Sequence, residues 1–227
     1  MRPDDKLSEM LRAAYLPCGN FGACREAQWA PESGHIPRGF LGASGTLDDV
    51  EVVMVFAEPG HPHPGEAYDR KDSPDTLLEN AMDHAYEAFA MGTDLFHRNV
   101  RWFLDQLYPN LSFNEQLRYV WLTEGRLCSI DNEIGSQRDH RCAQRYLRAQ
   151  LEILPNATIV AFGGKAHDYV RRLEVEHVKA YALAPPGANH RPARPSWERA
   201  IGHIKSQRVH MKHSGHDGDS RSVAPTS

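Results

Sequence analysis

Two features of this chain carry chemistry: a carboxylate at the end of an apolar run, and four thiols. Glu58 follows the run VVMVF at 52–56 and stands directly before Pro59 and Gly60. In open α/β sheets, ligands bind at the loop leaving the carboxyl end of a central strand, so a carboxylate there is placed to orient water or face a cationic centre. A solvated loop carboxylate is the plain alternative. Cys18, Cys24, Cys128 and Cys142 are the only cysteines, grouped as C-x5-C and C-x13-C. In a reducing compartment such pairs suit a metal or cluster site better than disulfides, with four unrelated buried thiols as the other reading. Two further features receive no role. Gly163-Gly164 matches neither G-x-G-x-x-G nor a P-loop and reads as a tight strand-to-helix turn. His210, His213 and His216 read as part of a solvated tail.

The elements that must position these groups alternate between strand and helix. Val52–Phe56 is too short for a membrane span and too uniformly apolar for a half-exposed strand, so it predicts a strand buried on both faces. Helices are expected at about 5–15, 75–91 with Ser73 and Pro74 as cap and first residue, 95–107, 137–154, 165–173 and 195–205. Strands are expected at 119–123, 157–162 and 178–184. The segment PCGNFGACREAQWAPESGHIPRGFLGASG, rich in Gly and Pro, reads as an irregular surface loop. This alternation implies a parallel sheet in a layered α/β domain. From Lys205 onward there is no aromatic, Leu or Ile residue, so 1–204 is expected to fold and 205–227 to form a disordered tail.

With 227 residues, 41% of them hydrophobic and 25% charged, the chain can bury a substantial core. No stretch of membrane-spanning length is present, and MRPDDKLSEMLRAAYL lacks the apolar centre of a signal peptide, so a cytoplasmic protein is expected. The net charge of −4 gives no global attraction to nucleic acid, and any such binding must use a local basic face.

Three segments together resemble the uracil-DNA glycosylase superfamily, especially its iron–sulfur branch, over about residues 16–200. The first is VVMVFAEPG, similar to that branch's buried strand and Gly-Glu-Ala-Pro-Gly corner. Glu58 falls where the best-known branch has its water-activating Asp, and one position after the Glu of the iron–sulfur branch. The second is Thr123-Glu124-Gly125-Arg126-Leu127-Cys128, leading to Cys142 and then YLRAQLEILPNATIVAFGGKA. The third, APPGANHRPARPSW at 184–197, looks like the family's second motif, with Ala184 where a polar residue is usual and His190 beside Asn189. A proline-stiffened connection with a helix capped at Ser196 is the plain reading of that stretch. A fourth match puts Phe96 at the head of a helix, where the family stacks the extruded base, with Ala57, Pro59 and Gly60 lining the same pocket.

The resemblance implies a three-layer α/β/α sandwich around a short parallel four-stranded sheet, with 67–93 as an insertion. It implies a DNA N-glycosylase, a hydrolase of base-excision repair acting as a monomer on DNA with a modified base. Glu58, His190 and Asn189 would be catalytic, Phe96 and Glu124 would contact the base, and Arg191, Arg194 and Arg199 would hold phosphates. Cys18, Cys24, Cys128 and Cys142 would ligate a 4Fe–4S cluster, with structural zinc or no metal as alternatives; C-x5-C is longer and C-x13-C two residues shorter than the family pattern. The family reads uracil with an Asn where this chain has Glu124. An ionised Glu only accepts hydrogen bonds, so uracil is not expected to be read as in the relatives. The alternatives are a non-catalytic binder of damaged or single-stranded DNA on the same fold, and an enzyme acting on another small substrate.

Overall fold

The computed structural model describes residues 2–24, 27–129 and 139–214, with side-chain environments described through Arg208. Its centre is a five-stranded sheet ordered β1-β3-β2-β4-β5, formed by β1 (Leu41–Gly42), β2 (Val52–Phe56), β3 (Val120–Glu124), β4 (Thr158–Phe162) and β5 (Val178–Ala180). β3, β2, β4 and β5 are mutually parallel, giving the four expected strands, while β1 adds an antiparallel edge on β3. β2 occupies the middle, and all five of its residues are buried, as its unbroken apolar run requires.

Seven α-helices are present among the described residues: α1 (Asp5–Arg12), α2 (Pro74–Met91), α3 (Leu95–Leu107), α4 (Phe113–Gln116), α5 (Arg148–Glu152), α6 (Gly164–Arg172) and α7 (Ala193–Ser214). The resulting architecture is a mixed α/β sandwich. Ser73 caps α2 by accepting from the Thr76 N–H at 3.1 Å, with Pro74 in the first turn, as its sequence predicts. A π-helical turn, Ala143–Leu147, leads into α5 and replaces the regular helix expected there; residues 137 and 138 of that expectation lie outside the described residues.

Several expectations are corrected. The segment 17–45 is no surface loop: Ile36, Phe40, Leu41 and Ala43 are fully buried, and Phe40 stacks on Trp121 with ring centroids 6.3 Å apart. Its Gly and Pro residues hide a core layer, because the apolar residues between them are too few to show a period. α7 begins at Ala193, three residues before Ser196, so Ser196 is no N-cap; its hydroxyl donates to Ala193 O and accepts from the Tyr181 N–H. α7 also continues to Ser214, beyond the boundary at 204. Within the extension the Arg208 guanidinium lies 4.2 Å from the centroid of the Tyr108 ring and pairs with Glu51 at 2.6 Å. The remainder of the expected tail, 215–227, lies outside the described residues.

Buried polar contacts fix β3. Gln150 Oε1 accepts from both Trp121 Nε1 (2.8 Å) and Thr123 Oγ1 (2.7 Å), while its amide donates to Tyr146 O (3.0 Å). This network ties the strand that ends in Glu124 to the helix that carries Cys142.

Candidate functional site

β2 connects onward to β3 on one side, whereas β4 connects through α6 to β5 on the other. The sheet therefore has its topological switch point between β2 and β4, where the strand ends diverge and leave a crevice. A cavity of about 810 Å³ opens there. Glu58, just past β2, and Lys165, at the start of α6 after β4, span the switch point as an ion pair of 2.5 Å. Gly163 makes the turn between β4 and α6 with φ +94°, and a Cβ there would stand 3.0 Å from that of Ala182. The Gly-Gly turn thus has a role that its sequence did not disclose: it delivers Lys165 to the cavity wall. The signal was available, since the strand-end rule that marks Glu58 applies equally to β4.

Glu124 closes β3 opposite Phe56 in the parallel register and enters the same cavity. It is buried, and its Oε2 has no hydrogen-bond partner among the described residues. Burial, reinforced by the charge of Glu58, pushes its pKa well above the usual carboxylate range, against the opposing pull of Arg38. The environment therefore favours the protonated carboxyl over the ionised, accept-only form expected from the sequence. A neutral carboxyl offers one O–H donor and one carbonyl acceptor, as an amide does. Gly39 makes room for it: at φ +87°, a Cβ would meet Glu124 Oε1 at 2.6 Å.

Arg38 is buried behind the corner. It donates to Gly34 O and Ser129 Oγ, both at 2.8 Å, and to Gly60 O, while its Nε lies 3.7 Å from Glu66 Oε1. It holds the loop after Glu58 in place. Nothing in the surrounding irregular sequence singles it out.

Among the base-contacting residues expected from the sequence, Ala57, Pro59, Gly60, Phe96 and Glu124 all line the cavity. Phe96 is half-buried and meets Phe56 edge-to-face, with ring centroids 5.0 Å apart at 86°. The expected second motif divides. Ala184 through Gly187 line the cavity, and Asn99 Nδ2 pins the preceding Leu183 O at 2.8 Å. Asn189 and His190 are exposed and lie outside the lining. The chain leaves the cavity within the 3-10 turn Gly187–Asn189, whose Gly187 still lines the wall while Asn189 does not. Arg191, Arg194 and Arg199 are exposed; the Arg194 guanidinium sits 3.2 Å from the centroid of the Trp102 ring.

The four cysteines converge although the chain separates them. All are free thiols, and all line one small cavity with Arg126, Leu127 and Tyr146. Cys142 Sγ accepts from the Leu127 N–H, and Cys24 Sγ from Arg126 Nη2, each at 3.4 Å. Burial raises the pKa of Cys128 and lifts that of Cys142 to about 12. Among the described residues, the thiols form no group of three with sulfurs within 4.8 Å of one another.

No known protein-family model matches this chain, and no curated protein matches it significantly.

Proposed function

We propose that this chain is a DNA N-glycosylase of the uracil-DNA glycosylase superfamily, hydrolysing the bond between deoxyribose and a deaminated base as the opening step of base-excision repair. The observation that carries this reading is the meeting of Glu58 and Glu124 in one cavity at adjacent parallel strand ends, beside Phe96. In this reading the extruded base stacks on Phe96, which offsets part of the few kcal/mol needed to unstack it. Glu58, held by Lys165, orients the attacking water and stabilises the oxocarbenium-like sugar. Protonated Glu124 donates to a base carbonyl and accepts from the adjacent N–H. Uracil and hypoxanthine both present such an edge, so uracil returns as a substrate. The start of α6 adds the positive end of a helix to the wall that faces the departing base anion.

Cys18, Cys24, Cys128 and Cys142 would hold a 4Fe–4S cluster, which would act as a structural clasp joining the segment at 18–24 to the loop after β3 and to the helix bearing Cys142. Their convergence on one small cavity supports this reading, with structural zinc as the alternative.

The deciding assay uses single- and double-stranded oligonucleotides carrying uracil, hypoxanthine or xanthine, with base release scored as alkali-labile abasic sites. Wild type is expected to release at least one base and Glu58→Gln to lose that activity. Salt-dependent DNA binding without release from any substrate would establish the non-catalytic reading, which the exposed positions of Asn189 and His190 favour.

A further inference from the structure

On the cavity wall away from the two catalytic strand ends, three imidazoles and two carboxylates crowd together. His63 Nδ1 lies 3.1 Å from His84 Nε2, and His84 Nε2 lies 3.3 Å from Glu66 Oε2. With metal–nitrogen and metal–oxygen bonds of about 2.0–2.2 Å, neighbouring donors on one ion stand roughly 3.0–3.5 Å apart, so both contacts of His84 Nε2 have ligand spacing, and all three atoms lie within 4.8 Å of one another. All three residues line the cavity.

The partners around them are those that metal ligands use. Tyr68 Oη donates to Glu66 Oε1 at 2.7 Å and Arg38 Nε stands 3.7 Å from the same oxygen, leaving Oε2 on the imidazole side. The His63 backbone N–H donates to Oε2 at 2.9 Å, which occupies one of its two lone pairs. His63 Nε2 faces Asp94 Oδ2 at 3.8 Å, so the ring nitrogen away from His84 points toward a carboxylate. A carboxylate behind the free nitrogen of an imidazole fixes the tautomer that presents the other nitrogen to an ion. Asp94 is itself held by His97 Nδ1 at 2.9 Å.

We propose that His63 Nδ1, Glu66 Oε2 and His84 Nε2 bind a divalent transition ion of the zinc class, with its remaining coordination positions open to the cavity. Two imidazoles and one carboxylate suit such ions, and three protein ligands with an open position mark sites where the ion meets solvent or substrate. A direct His63–His84 hydrogen bond accounts for one contact, but not for Glu66 Oε2 beside the same His84 nitrogen or for Asp94 behind His63. The site stands independently of the glycosylase reading, and its failure would leave that reading untouched.

Cobalt titration of the protein, with its thiol site already loaded, tests this. One additional equivalent of Co²⁺ is expected, with ligand-field bands and no thiolate charge transfer, displaced by Zn²⁺. Glu66→Gln and His84→Ala should abolish that equivalent. Tyr68→Phe, which removes only the support behind Glu66, should weaken it about tenfold or more. His177→Ala, in the separate pair where His167 Nδ1 and His177 Nε2 stand 2.8 Å apart, should leave it unchanged. Thermal melting shows that each variant is folded. Should His84→Ala melt early, the near-isosteric Glu66→Gln decides. Absence of the extra equivalent, thiolate bands, or undiminished uptake in folded Glu66→Gln protein would overturn the assignment.

Discussion

Glu124 ends β3 and Glu58 lies two residues past the end of the adjacent parallel β2, and both reach one cavity in opposite environments: Glu58 is paired with Lys165 at 2.5 Å, whereas Glu124 Oε2 is buried with no hydrogen-bond partner among the described residues. Burial, reinforced by the charge of Glu58, raises the pKa of Glu124 and favours its neutral form, while Glu58 is held in an ion pair across the switch point.

Glu124→Gln tests that division. The folded pKa of Glu124 is raised above its ordinary value of 4.5, so its contribution to stability is full below that value and declines as pH rises toward the folded pKa. Gln cannot ionise, and the variant should be as stable as wild type in acid and more stable at neutral to alkaline pH, read as Tm across that range. Because the amide reproduces the donor–acceptor pair, base release at neutral pH should persist. Activity of the variant should also survive alkaline conditions in which wild type fades.

Glu58→Gln should lower single-turnover base release by about 10²–10⁴-fold, the usual contribution of a positioned general base, with DNA affinity nearly unchanged. Lys165→Met removes the group that holds Glu58 across the switch point. Base release should fall with DNA affinity nearly unchanged, and undiminished release in Lys165→Met would show that the ion pair does not position Glu58.

The sheet was legible because β2, β3 and β4 are short apolar runs bounded by turn residues, and the corner after β2 was legible because a carboxylate follows such a run directly. β1 was not, since two residues, Leu41 and Gly42, carry no period. Lys165 was hidden by reading Gly163-Gly164 only against phosphate-binding motifs. Arg38 and Gly39 act across the fold, on Gly60 and Glu124, and no local pattern announces a long-range partner. The exposed positions of Asn189 and His190 depend on where a single turn leaves the cavity, which residue types alone do not fix.

Gly39→Ala places a methyl group 2.6 Å from Glu124 Oε1 in a left-handed backbone conformation. Strain and displacement together should cost about 1–3 kcal/mol in denaturant unfolding. Base release should fall further than stability alone explains, because Glu124 must move. The double variant Gly39→Ala/Glu124→Ala should recover part of the lost stability.

Removing whatever the four thiols hold should loosen the segment at 18–24 before it unfolds the sheet, because β2 and β4 make no use of those thiols. Protein made with Cys24→Ala, or stripped by a chelator under reducing conditions, should show faster proteolysis near the N-terminus and a lower Tm. Iron and acid-labile sulfide should be present in wild type prepared without oxygen and lost from the variant. Protein that holds neither iron nor zinc and resists proteolysis equally would remove the clasp.

Arg38→Leu separates the support of the corner from its chemistry. Arg38 is buried, and its guanidinium serves Gly34 O, Ser129 Oγ, Gly60 O and Glu66. Leucine fills much of the volume but leaves those carbonyls and one carboxylate without their cation. Breaking a buried pair by deleting one partner costs about 3–5 kcal/mol. The double variant Arg38→Leu/Glu66→Gln removes the stranded charge and should recover part of that loss. Catalysis should not recover with it, because Gly60 O remains unanchored and the loop carrying Glu58 keeps its freedom. Equal recovery of stability and base release would instead show that Arg38 acts only through Glu66.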